Sequence, residues 1–99
     1  MKKEVIISDR AVKAFERIIV ALQGQSLIGA EKAKEEILAR IGKLGERPKP
    51  SEARKAKFDA IEGEFWSVLT HNHRIYYLIE LNRIVVVDII LDVEKRDSA

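Results

Sequence analysis

The chain has 99 residues, 46% of them apolar, with 18 basic against 16 acidic side chains. That length makes one domain, residues 1–99, able to bury one modest core but close to the size at which a partner subunit adds needed stability. The absence of cysteine excludes a disulfide framework and a thiolate metal site and suits a reducing cytosol, and a net charge of +2 does not by itself point to nucleic acid.

Met1-Lys2-Lys3-Glu4 leads into only three apolar residues before Ser8, too few for a signal peptide, and no later run reaches membrane-spanning length. Those three, Val5-Ile6-Ile7, form a β-branched run that predicts a short strand. Ser8 or Asp9 then offers a side-chain oxygen to cap a helix. Ala11, Phe15, Ile18 and Leu22 follow at spacings of four, three and four, one helical face with Ile19 beside it. Gly24 suits a left-handed residue past the helix end. Ser26 caps a second helix, in which Ala30, Ala33, Ile37, Ile41 and Leu44 make the buried stripe and Leu38 widens it. Glu31, Lys32, Lys34, Glu35, Glu36 and Arg40 cover its other side. Gly42 weakens the last turn by roughly 1 kcal/mol relative to alanine, and Gly45 ends it. The tight link makes the two helices an antiparallel hairpin.

Pro48 and Pro50 make residues 46–53 an ordered loop. Around it lie six basic residues, Lys43, Arg47, Lys49, Arg54, Lys55 and Lys57, opposed only by Glu46 and Glu52. Such a cluster attracts phosphates or an acidic peptide, or is a solvated loop. Residues 57–61 alternate weakly as a strand, with a turn at Glu62-Gly63. Phe65, Ser67 and Leu69 then alternate with Trp66, Val68 and Thr70. His71-Asn72-His73 supplies the next turn. Residues 74–80 and 83–91 form a hairpin across Leu81-Asn82, and the apolar runs Ile84-Val85-Val86-Val87 and Ile89-Ile90-Leu91 predict a strand covered on both faces. The charged tail 92–99 is expected to fray. The order of elements is an α+β domain: an N-terminal strand, a two-helix antiparallel hairpin, then a three- to four-stranded, mostly antiparallel sheet.

The strand string His73-Arg74-Ile75-Tyr76-Tyr77-Leu78-Ile79-Glu80, the Arg47-Pro48 loop, the opening strand ending in Ser8, the alanine-containing helical hairpin and the basic pair Lys95-Arg96 occur in one order. In that order and spacing they resemble the RelE/ParE superfamily of small bacterial toxins over nearly the whole chain. The resemblance implies the toxin of a type II toxin-antitoxin, or plasmid stabilisation, module. Such a toxin is cytoplasmic, needs no cofactor or membrane, and is neutralised by a cognate antitoxin. A homodimer or a toxin–antitoxin heterotetramer is the implied assembly. RelE-like members cleave messenger RNA on the ribosome with basic and acid-base side chains on the concave sheet face. ParE-like members lack that set and act on DNA gyrase.

Arg74 and Arg96 match family arginines, whereas Ser67 and Val68 stand where RNA-cleaving members tend to place lysine, and no tyrosine or histidine follows Arg96. The resemblance is therefore nearer the ParE-like branch: a growth inhibitor of a macromolecular target, DNA gyrase, and not a turnover enzyme. The alternatives are a ribosome-dependent messenger RNA endonuclease and a non-toxic module that keeps only antitoxin binding. A nuclease would draw on Arg74, Arg96, His73 and Glu64, with Glu62 as the other candidate base, His71 as the other candidate acid, and Lys55 and Lys57 beside Arg74 to hold the phosphate, because attack by a 2′-hydroxyl needs a base, an acid and cations around the phosphate. Target or antitoxin binding would draw on Lys55, Lys57, Arg74, Trp66, Lys95 and Arg96. The antitoxin is expected to fold on this chain with its carboxylates near the 43–57 cluster or Arg74. Trp66 either stacks on an open face or packs the sheet, and Arg74 either meets a ligand or pairs with Glu62 or Glu64. His71-x-His73 lacks a third ligand, so no metal site is expected.

Overall fold

The computed structural model describes residues 2–58 and 61–92. Its elements are β1 (Glu4–Ile7), α1 (Asp9–Gln23), α2 (Leu27–Leu44), β2 (Arg54–Phe58), β3 (Ile61–Thr70), β4 (His73–Ile79) and β5 (Arg83–Leu91). The strands make one sheet in the order β1-β5-β4-β3-β2. β1 runs parallel to β5 and the other pairs are antiparallel. Four strands thus follow the helices, and β1 joins the same sheet from the other end of the chain. No helix among the described residues is long and apolar enough to cross a membrane.

Serine caps start both helices. The Ser8 hydroxyl accepts the Ala11 N–H at 3.2 Å, and the Ser26 hydroxyl accepts that of Gly29 at 3.0 Å. The helices pack on one side of the sheet. α1 buries Ala11 and Ala14, and α2 buries Ala30, Ala33, Ile37, Ile41 and Leu44. Beneath them lie Val68, Ile75, Tyr77, Ile84, Val86 and Ile89, with Phe15, Ile18 and Trp66 at the margin. Each fully buried aliphatic side chain contributes about 1.5–3 kcal/mol, which makes this layer the main source of stability. Leu38 does not widen the stripe: it is 41% exposed, on the solvent flank of α2.

Gly24 and Gly63 behave differently from their sequence reading, whereas Gly45 ends α2 as expected. Gly24 is right-handed, with φ −65°, and leads straight into the Ser26 cap. Gly45 is also right-handed, but its missing side chain is required, because a Cβ there would stand 2.5 Å from the Lys3 carbonyl oxygen. The Lys3 N–H donates to the Gly45 carbonyl at 2.8 Å, so the end of α2 is stitched to the start of β1. Gly63 is not a turn residue. It lies within β3 at φ +150°, where a Cβ would run into Leu78 and Phe65. The strand before it is residues 54–58 rather than 57–61, with a bulge between Ala56 and Phe58.

The β3–β4 turn is the two-residue pair His71-Asn72, both left-handed at φ 55° and 63°. That twist matches the flanking strands, and asparagine tolerates it well. β5 departs from the expectation of cover on both faces. Ile84, Val86 and Ile89 are buried, but Ile90 and Leu91 are 47% and 48% exposed. β1 pairs with β5 only as far as Ile7 and Val86, so among the described residues the far half of β5 has no strand on that side. The expected fraying of the tail concerns residues 93–99, outside the described residues.

The two helix-end glycines predict opposite responses to alanine. Gly42 has open space around it, so Gly42→Ala is expected to stabilise by about 0.5–1 kcal/mol. Gly45→Ala is expected to destabilise by about 1–3 kcal/mol through backbone overlap at Lys3. Urea midpoints at unchanged m-value measure both.

Candidate functional site

Strand pairing sorts the candidate residues by face. Ser67 stands opposite Tyr76, Leu69 opposite Arg74, and Phe65 opposite Leu78. These side chains point away from the helices. On β2, Arg54 lies opposite Ser67 and Ala56 opposite Phe65, so they share that open face. Phe58 meets Phe65 edge-on at 4.8 Å and Tyr76 at 5.6 Å, forming an aromatic cover over one end of it.

Arg74 is the polar centre of the open face. It is only 9% exposed. Its Nη1 donates to the Ser67 hydroxyl at 3.2 Å, and its Nη2 lies 3.4 Å from Asp92 Oδ2. Arg74 therefore pairs with Asp92 and not with the glutamates considered from the sequence, because Glu62 and Glu64 lie toward the other end of β3. Arg54 flanks Ser67 from the edge strand, exposed and without an ion pair among the described residues.

His73, one residue before Arg74, necessarily faces the helices. It is buried, and its Nδ1 stands 2.7 Å from the His71 carbonyl, an acceptor only, so Nδ1 carries the proton and donates. His71 reaches over to Glu36 of α2 at 3.1 Å. Glu64 also lies on the helix-facing side, opposite Ile79 and far along the strand from His73. The ammonium of Lys49 at 2.7 Å, and then the Trp66 indole N–H at 3.1 Å, hold its carboxyl below the usual carboxylate range, which makes it a weaker base. The nuclease candidates Arg74, His73 and Glu64 are thus not brought together. Arg96, with Lys95, lies outside the described residues.

Trp66 sits half-buried on the helix-facing side, directly opposite Tyr77, and away from the open face. Lys49 lies 5.5 Å from its ring centroid. The basic cluster is dispersed. Lys49 is committed to Glu64 and Trp66. Lys43 and Arg47 line a cleft of about 560 Å³ with Arg40, Leu44, Glu46, Pro50 and Glu52. Lys55 and Lys57 are exposed on β2, on the outer edge of the sheet. Among the described residues no group of three or more histidine, aspartate or glutamate side chains is placed to hold a metal ion.

Sequence reasoning missed three features: Ser67 as the partner of Arg74, Arg54 beside it, and Asp88. Asp88 is buried and receives Arg10 of α1 at 3.2 Å. Its signal was present, since a lone carboxylate interrupts the apolar run of β5.

The family model for the ParE toxin of type II toxin-antitoxin systems (parDE) matches residues 5–94. Among solved structures, the chromosomal ParDE TA system from P. aeruginosa is similar at 14% identity and a TM-score of 0.72, covering 91% of this chain and 96% of that one. The archaeal RelE–RelB complex from Pyrococcus horikoshii OT3 is similar at 18% identity and TM-score 0.68, covering 94% and 98%. The YoeB dimer from Staphylococcus aureus is similar at 16% identity and TM-score 0.62, covering 91% and 97%. At these identities the likeness is one of fold. No curated protein matches the chain.

Tyr77 ties the proline loop to the sheet and supplies a pH test. Its hydroxyl donates to the Pro48 carbonyl. Burial pushes its pKa from 10.0 up to about 12, with Arg40 opposing and Glu52 adding to the rise. The folded phenol therefore keeps its proton where the unfolded one loses it. The stability this confers is complete below pH 10 and is lost as the pH rises toward 12. Tyr77→Phe is expected to cost about 1 kcal/mol at neutral pH. It should also lose less stability than the parent between pH 10 and 12, which urea unfolding at a series of pH values measures.

Proposed function

The chain belongs to the family of ParE toxins of type II toxin-antitoxin systems, and on that premise we propose that it inhibits growth by binding DNA gyrase and is neutralised by a cognate antitoxin. The observation that carries the choice of target is Arg74. It is the buried cation of the open face, and its guanidinium is already engaged by Ser67 and Asp92. Cleavage of RNA through a 2′-hydroxyl needs a base, an acid and uncommitted cations converging on one phosphate. Here His73 and Glu64 lie across the sheet from Arg74 and at different ends of it. A binding poison needs no such convergence: it needs a stable surface that its target and its antitoxin recognise. Two of the similar structures are a ParDE TA system and a RelE–RelB complex, which supports a protein antitoxin as partner.

Induced expression in a bacterial host tests the target. Gyrase poisoning is expected to give double-strand DNA breaks and SOS induction with messenger RNA left intact. Purified chain should inhibit supercoiling by gyrase in vitro, and co-expression of the adjoining small open reading frame should restore growth. Codon-phased cuts in primer extension, without DNA damage, would move the chain to ribosome-dependent RNA cleavage. Unchanged growth would leave only antitoxin binding.

A further inference from the structure

The solvent flank of α2 takes no part in the open face of the sheet and carries a pattern of its own. Leu27, Glu31, Lys34 and Leu38 follow one another at spacings of four, three and four. A helix turns about 100° per residue, so this spacing sets the four in one row, roughly a quarter turn from the buried stripe. All four are exposed, Leu27 at 73%. Beside Leu27 stands Ile28, 84% exposed, and beside Leu38 stands Ala39, also exposed. A lone exposed leucine needs no explanation. Here the row runs apolar, acidic, basic, apolar. Reversing the helix matches each member to its complement: Leu27 meets Leu38, and Glu31 meets Lys34.

We propose that this row is a two-fold interface, at which α2 pairs antiparallel with α2 of a second copy of the chain. The inference is independent of the choice of target. The spacing is that of a heptad seam, two apolar positions enclosing two charged ones, and such a seam packs side chains of one helix between those of another. In the antiparallel pair the two outer layers set Leu27 on Leu38 of the second copy. The two inner layers set Glu31 on Lys34 of the second copy. Charge selects both the occupant and its direction. In the free chain the Lys34 ammonium stands 3.9 Å from the Glu31 carboxylate of its own helix, a weak exposed pair. Across the two-fold each ammonium also meets the carboxylate of the other copy, so two ion pairs are added and none is lost. Parallel pairing would set Glu31 on Glu31 and Lys34 on Lys34, which repels. A partner of one charge sign would satisfy only half of the row. The row spans about 16 Å, so the interface is small and the dimer is a reversible one. The helices cover one side of each sheet, so this dimer leaves both open faces uncovered.

Sedimentation of the full chain between about 1 and 100 μM tests this. The parent should move from monomer toward dimer as concentration rises. The four positions are exposed, so substitutions there keep the fold. Glu31→Lys and Lys34→Glu should each weaken self-association by roughly 10-fold or more at low salt, because every inner layer becomes a like-charge contact, with the gap closing as salt rises. Mixed in equal amounts, these two variants should pair with each other at least as well as the parent pairs with itself. Lys32→Glu makes the same charge change as Lys34→Glu but off the row, and should behave like the parent. The chain has no cysteine, so introduced thiols report direction. Leu27→Cys mixed with Leu38→Cys should form a disulfide-linked pair under mild oxidation, and neither should link to itself. A parent that stays monomeric throughout overturns the proposal. So does self-linking of Leu27→Cys, failure of the two charge variants to pair, or equal weakening by Lys32→Glu. A monomeric parent whose binding to the product of the adjoining reading frame is weakened by Glu31→Lys assigns the row to the antitoxin and overturns the proposal as well.

Discussion

The left-handed pair His71-Asn72 fixes the register on which both faces of the sheet depend. A two-residue turn leaves β3 and β4 only one pairing, Thr70 with His73, and the rest follows at intervals of two: Val68 with Ile75, Trp66 with Tyr77. A slip by one residue would turn Arg74 into the helix layer and Ile75 to solvent. An arginine buried beneath Ala11, Ile37 and Ile41 without a carboxylate would cost several kcal/mol, which makes the alternative register inaccessible. The turn also anchors the end of β5, since the Asn72 carbonyl accepts the N–H of Asp92 and so holds that carboxylate beside Arg74.

The two faces consequently do different work. The helix-facing side is almost wholly apolar, and its polar groups are satisfied at the rim: His73 by the turn carbonyl, Tyr77 by Pro48, Asp88 by Arg10. The open face is aromatic at one end and charged at the other. Its buried ion pair adds little net stability over an apolar substitute, but removal of either partner leaves a costly unpaired charge. The exposed pairs, such as Lys2 with Glu46 at 3.9 Å, contribute almost nothing. Stability therefore resides in the helical layer.

Legibility in the sequence followed the same division. Helical spacing located α1 and α2 and all five buried residues of the α2 stripe, because one face of a helix repeats without regard to distant contacts. Ser8 or Asp9 marked the first helix start, which Ser8 caps, and Ser26 marked the second. What sequence could not give were features decided by remote neighbours. Gly63 resembled a turn until Leu78 and Phe65 explained the need for a missing Cβ. The apolar run of β5 indicated cover on both faces, whereas Ile90 stands opposite Arg74 on the face away from the helices and is half in solvent, as is Leu91 at the end of the strand. The candidate site was legible only in part. Arg74 stood out, but its pairing with Ser67 and Asp92 crosses two strands, and no local spacing reports that.

The contrast between His73 and Arg74 shows why a family likeness in sequence does not carry a mechanism with it. Adjacent residues in a strand face opposite ways, so an imidazole and a guanidinium that look paired in the sequence are separated by the thickness of the sheet. To act on one phosphate they would need to approach it from the same side. Arg74 would also have to give up a carboxylate partner that is itself nearly buried, with side-chain exposures of 10% and 9% for the pair. A phosphate could replace Asp92 only by supplying equal charge in the same small space. The geometry around Arg74 is thus suited to holding β3, β4 and the end of β5 in one rigid surface. A rigid surface presents the same contacts to every partner without an ordering cost.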